Sequence, residues 1–431
     1  MPKNVFSGVG ISNNQNPLEA GKEAAEKAIN GLEGHKPTFA FVFVGSNYDL
    51  KKLNQSIKKV LGNCQYVGCT TCGEISTYGF SRHSCTVLAI SSEYIKFGVG
   101  IAKGVLKNPE KATEAAINQS LKSIKIDKYV DPYISFVAMK TKKPSELVKM
   151  KPYCTMIFTP GLGPISVNND AIISTLNKII GRYIPVIGAG AASDEIFVNK
   201  FMFVNGEVYD DAIITLFIVS DVKVGFGLAH GFKPMNTSAY ITKMKGLEIL
   251  EINNKNSVEV YKGITGVDLS KWALTPQSLG SKEAVSFLRH PFALQTLSGN
   301  YIMRHVLAEK PQKSLRFCFS VPKNAPLVPM EGDLNEIANA GGESIKKAIQ
   351  DAGSEDVVAA ITFSCLLRQM AQGKNIEKEI SKVNKAIKNK PMNGFYCVGE
   401  ISFFEDSPIT SQQESIVTMV ITDTLLSDGK I

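Results

Sequence analysis

Short apolar runs alternate with amphipathic stretches along this chain, and the alternation recurs. Phe39–Gly45 is nearly all apolar, as in a strand covered on both faces. Leu50, Leu53, Ile57 and Val60 follow at helical spacing, and Gly62 marks the stop. A glycine-bearing strand, Tyr66–Ser76, comes next, then two strands, Cys85–Ile90 and Lys96–Ile101. The plan returns at Thr155–Thr159, with Ile172, Leu176 and Ile179 on a helix face and Gly181 as its stop. Pro185–Asp194 and the strands Ala212–Val219 and Lys223–Leu228 complete that copy. A third copy opens at Val357–Phe363, carries Ile376, Ile380, Val383 and Ile387 on its helix, and closes with Gly394–Ser402 and Ser415–Thr422. Gly-x-x-x-x-Gly-Glu-Ile-Ser stands at 68–76 and again at 394–402.

Strands alternating with helices predict an α/β fold. Hairpin-like strand pairs predict mixed sheets, built from repeated strand–helix–strand–strand units in two domains with internal pseudo-symmetry. Residues 1–35 add a strand, Val5–Ile11, and a helix that Asn16-Pro17 starts. Phe232–Asn256, broken by Lys233-Pro234, reads as the crossing between domains.

Composition narrows the class. The 431 residues are 44% apolar and 20% charged, which is globular and long enough for a full core. The longest apolar run, Ala212–Val219, is far too short to span a bilayer, so no membrane insertion is expected. No signal-type apolar stretch follows Met1, and a cytoplasmic location is expected. The net charge of +8 is spread among interleaved acids, so no nucleic-acid partner is expected. Only six of the 48 basic residues are arginine, which draws attention to each planar fork: Arg82, Arg182, Arg289, Arg304, Arg316 and Arg368.

Several residues are candidates for chemistry. A strand ending in glycine lets a ligand approach the backbone, which singles out Thr70, Gly73 and Glu74 and, in the third copy, Gly399 and Glu400. The plainer alternative is a glycine bulge with an exposed glutamate. Arg368, just past a strand end, and Arg304 are candidate carboxylate clamps or structural ion pairs. Cys365 stands beside Arg368 as a ligand contact or a packed small hydrophobe. Cys64-x4-Cys69-x2-Cys72 matches part of an iron–sulfur spacing, with Cys85 a possible fourth ligand. Ala189 and Ala192, or Phe395 and Val398, stand at the equivalent positions of the other copies, which favours core residues. Gly161-Leu162-Gly163-Pro164-Ile165-Ser166 suits an anion better than a dinucleotide. No nucleophile elbow or zinc-type histidine spacing is visible, so no enzyme and no cofactor are expected, with haem or an iron–sulfur cluster as the alternative.

Several of these segments together resemble the FIST family. The carriers are Val67–Glu74, Ile187–Asp194, His290-Pro291-Phe292, Gly299-x-Tyr301-x-x-Arg304, Phe363-Ser364-Cys365-x-x-Arg368 and Gly394–Glu400. The resemblance implies an N-terminal domain over 36–232 and a C-terminal domain over 240–425. It also implies an intracellular sensory role for a small ligand such as an amino acid, signalled through a histidine kinase or chemoreceptor. No such output module is visible, so a separate signalling partner is expected. The expectation is a ligand at strand tips between the domains, with Arg304 or Arg368 on its carboxylate and Glu400 or Glu74 on its amine. A cysteine-dependent enzyme using Cys365 or Cys69 is the alternative.

Overall fold

A computed structural model describes residues 3–124, 152–161, 168–181, 184–194, 200–269, 281–308, 314–403 and 409–426. Its body is three six-stranded sheets with one strand order. The first runs Phe6–Ser12, Cys85–Ser91, Phe39–Gly45, Gln65–Thr71 and the hairpin Met202–Val204/Glu207–Tyr209. The second runs Ile95–Lys103, Ala212–Ser220, Tyr153–Thr159, Val186–Gly190 and the hairpin Glu400–Ser402/Thr410–Gln412. The third runs Val222–Ala229, Ile416–Leu425, Val357–Cys365, Met392–Cys397 and the hairpin Glu74–Ser76/Gly79–Ser81. In each sheet the two middle strands are parallel, Phe39–Gly45 with Gln65–Thr71 being the first such pair. The mixed α/β class read from the sequence is therefore present. Each copy lends its hairpin to the sheet of another copy, so strand pairing crosses the division between 36–232 and 240–425.

Each copy opens with a strand that the periodicity alone did not assign to it. Gly8-Val9-Gly10, Gly98-Val99-Gly100 and Gly225-Phe226-Gly227 lie in these strands. A Cβ on Gly10, Gly100 or Gly227 would stand 2.0, 1.8 or 1.9 Å from a carbonyl oxygen of the helix packed on that strand. Only glycine allows the helix to lie this close to the sheet. The residue between the glycines faces the other way, into a core shared by all three sheets. At its centre Phe43, Phe158 and Phe363 hold the same strand position in their copies, paired with Cys69, Ala189 and Phe395. Their ring centroids are 6.0, 6.1 and 5.8 Å apart, a near-equilateral triangle.

The crossing expected at Phe232–Asn256 is the start of a separate inserted unit. A nine-stranded sheet spans Phe232 to Gly332, between Val222–Ala229 and the Leu334–Ala352 helix. Lys233-Pro234 does not simply break a strand, because Phe232–Pro234 pairs with Pro326–Gly332 and clasps the unit at its root. Among the described residues no helix is long and apolar enough to cross a membrane.

Candidate functional site

Two of the copies place a glutamate at the start of the lent hairpin, Glu74 and Glu400. Counted from the paired phenylalanines, Asp194 stands at the sequence position of Glu74 and Glu400, but in the lent hairpins their place is taken by Met202. Glu74 is fully buried and takes hydrogen bonds from the Thr71 hydroxyl and from the Ser84 backbone and hydroxyl, at 3.2 and 2.6 Å. Glu400 is fully buried too, held by Cys397 Sγ at 3.2 Å and Ser415 Oγ at 2.9 Å. Burial pushes both carboxyls up to about 7. These two side chains pin their own turns and are not exposed, unlike the plainer expectation for them.

Asp194 behaves differently. It lies before the hairpin that the second copy lends, and its side chain meets the first copy. Oδ2 lies 3.1 Å from the Ser46 hydroxyl and 3.4 Å from His83 Nδ1, and Oδ1 lies 3.8 Å from Arg82. Arg82 donates to Gln369 Oε1 at 2.8 Å, and Gln369 Nε2 donates to the Cys72 carbonyl at 2.9 Å. The Arg82 guanidinium also lies over the Phe80 ring, 5.9 Å from its centroid. Cys72, Phe80, Arg82, Asp194 and Gln369 line an open cleft of about 590 Å³ together with Met370, Lys374 and Glu377. Residues of all three copies line it. A smaller hollow of about 460 Å³ on the inserted unit, between Asn253, Lys255 and Glu259, has no comparable set of converging charges.

The residues singled out from sequence fall into three places. Gly73 is at the cleft, with φ +136, and a Cβ there would lie 2.6 Å from Phe80 and 2.7 Å from Gln369 Nε2. Thr70 anchors the lent hairpin, exchanging hydrogen bonds with Phe201 at 2.8 and 3.0 Å. Gly399 occupies the third copy's equivalent turn, with φ +87, but Phe319 of the inserted unit covers it. Arg304 lies nearby, donating to the carbonyls of Ser320, Met303 and Ser411 and to the Thr410 hydroxyl. Burial lowers it to about 10.

Arg368 and Cys365 lie at the short Leu366–Gln372 helix. Five donors of Arg368 go to protein: Ser364, His230, Glu414, Ile337 and Glu379. That guanidinium has no donor left for a ligand. Cys365 is buried at the helix start, and burial, then Glu400, pushes its thiol well above the usual range. Cys69 is in the central core and Cys72 belongs to a different apolar cluster, where Sγ donates to the Tyr396 carbonyl at 2.9 Å. Burial pushes both thiols up. The glycine turn from Leu162 to Ser166 and Arg182 lie outside the described residues.

Sequence reasoning did not assemble Arg82, Asp194 and Gln369. Arg82 was visible as one of few arginines and Asp194 as the end of a motif. Their meeting depends on hairpin exchange, which no local pattern encodes.

The comparisons with known proteins agree with the resemblance. Residues 38–255 match the FIST N domain and 258–402 the FIST C domain, and the chain belongs to the FIST family. FIST domains are sensory domains of signal transduction. An uncharacterised protein of Methanocaldococcus jannaschii is 22% identical over 347 residues, which is 78% of this chain and 61% of that relative. The chain thus spans less than two thirds of that relative's length. A solved cyanuric acid hydrolase from A. caulinodans aligns over 97% of this chain and 99% of its own, with a TM-score of 0.35 and 8% identity.

Proposed function

We propose that this chain senses a small polar ligand, an amino acid or another small carboxylate, held in the cleft between Cys72, Arg82, Asp194 and Gln369. One observation carries the reading. Asp194 of the second copy stands beside an arginine of the first copy at an open cleft that the third copy also lines. A cleft of about 590 Å³ suits a small metabolite. Arg82 offers a planar fork to a carboxylate. Asp194 and Glu377 offer acceptors to an ammonium.

The proposed role is binding and not catalysis. Cys72 is the thiol at this cleft, and burial holds it protonated, which makes a poor nucleophile. The sensor works in the cytoplasm under this reading and passes its state to a separate partner, such as a histidine kinase or chemoreceptor. A thermal-shift panel of amino acids, organic acids and nucleotides tests it. Binding to the native state must raise the melting temperature, by about 2.7 kcal/mol of stabilisation at a hundredfold excess over Kd. A shift from one carboxylate class that disappears in Arg82→Ala supports the proposal. A shift that survives in Arg82→Ala moves the ligand elsewhere.

A further inference from the structure

Two neighbouring side chains of the Leu366–Gln372 helix reach in opposite directions. Gln369 reaches into the cleft and joins Arg82 to the Cys72 carbonyl. Arg368 reaches into the root of the inserted unit. Its Nη1 donates at 2.7 Å to the carbonyl of His230, just before the unit begins. Its Nη2 donates at 2.7 Å to the carbonyl of Ile337, in the helix that follows the unit, and at 2.6 Å to Glu379. Nη1 also reaches the Glu414 carbonyl at 3.4 Å. The Glu414 side chain lies 2.7 Å from His305 Nδ1 of the inserted unit. One guanidinium therefore touches the entry, the exit and a docking point of the same unit.

The root has little slack. Gly231 has φ +80, and a Cβ there would lie 2.4 Å from the Glu336 carbonyl oxygen. His230 Nδ1 accepts from the Phe232 amide at 3.0 Å. By contrast, the Leu366–Gln372 helix is two turns long, has no side-chain cap at its start and ends at Gly373 with φ +52. A helix this short owes its position to its contacts, so a change at one of them bears on the whole helix. It packs against the Lys282–Leu288 helix of the inserted unit.

We propose that the Leu366–Gln372 helix is a relay that reports the state of the cleft, through Gln369 and Arg368, to the unit spanning Phe232 to Gly332. The trigger rests on the ligand reading above, but the mechanical link does not. A carboxylate arriving at Arg82 competes with Gln369 Oε1 for the guanidinium, so Gln369 turns and the helix follows. Arg368 then loses its fit to His230 and Ile337, and the clasped root changes its angle to the three-sheet body. The ligand shifts this balance only by its preference for one state over the other.

Hydrogen–deuterium exchange of the full chain tests the link without any ligand. Wild type is compared with Gln369→Ala and Arg82→Ala. The expected result is at least a fivefold faster exchange in peptides covering 230–232, 282–288 and 334–338, with the strands Phe39–Gly45 and Tyr153–Thr159 unchanged. Changes confined to peptides at 72–82 and 366–374 overturn the relay, and so does a uniform rise across the chain. A silent thermal-shift panel combined with the expected exchange pattern removes the ligand reading and leaves the relay standing.

Discussion

Across the mouth of the cleft the Arg82 guanidinium stands 3.8 Å from the Asp194 carboxylate, each supplied by a different copy of the repeat. The arginine side chain is 50% exposed and the aspartate 18%, so Arg82 keeps free reach towards solvent. The pair itself is worth little in water. Its use is to fix the direction of the fork. Arg82→Ala is expected to weaken binding of the responding carboxylate by about 10- to 100-fold, the loss of a charge-assisted contact. Arg82→Lys should recover part of it, since the charge remains and the fork does not. Isothermal titration measures both, and equal affinity in all three proteins would remove Arg82 from the site.

Arg368 has a different role. Its Glu379 partner is buried with it and also takes hydrogen bonds from Ser364, Gln372 and Tyr396. Arg368→Ala leaves that carboxylate without its counter-charge. The expected cost is about 3–5 kcal/mol in urea unfolding. A loss below about 1 kcal/mol would show that Glu379 finds its compensation elsewhere.

Glu74 and Glu400 make a pH prediction. Burial lifts both from an ordinary 4.5 to about 7, so each binds its proton more tightly folded than unfolded. The folded state carries the extra protons between these values. Stability contributed by the two groups is full below about pH 4.5, falls as the pH rises to about 7, and then levels. Each group accounts for a loss on the order of 3 kcal/mol. Glu74→Gln with Glu400→Gln should flatten this part of the curve relative to wild type. Superimposable stability-versus-pH profiles would contradict the burial argument.

Two glycines test the packing in opposite senses. A Cβ at Gly100 would stand 1.8 Å from the Ala116 carbonyl oxygen. Gly100→Ala must push the strand from its helix, at about 1–3 kcal/mol or more. Gly263 sits inside the Ser257–Thr265 helix with nothing within 4 Å of a Cβ. Gly263→Ala should stabilise by about 0.5–1 kcal/mol. Thermal unfolding of the two variants should move the melting temperature in opposite directions.

The sequence by itself determined the α/β class and the recurrence of its units. Both are written in local patterns: apolar runs for strands, i, i+3, i+4 spacing for helices, glycine at the stops. The helices at Leu50–Leu61, Asn169–Ile180 and Ile376–Ala386 arise where that spacing puts them. The glycine–glutamate turns were also legible, but not their use. Glu74 and Glu400 are carboxylates that a sequence reads as exposed or ligand-facing, and only the folded chain buries them among hydroxyls and a thiol. Arg368 had the right chemistry for a clamp, and tertiary contacts with segments far along the chain consumed its donors. Tertiary structure alone decided which hairpin pairs with which sheet, and so which charges meet. Residues such as Arg82 and Asp194 come together because a strand edge accepts any partner that matches its hydrogen bonds, and the choice among partners is made by the shared core and not by local sequence.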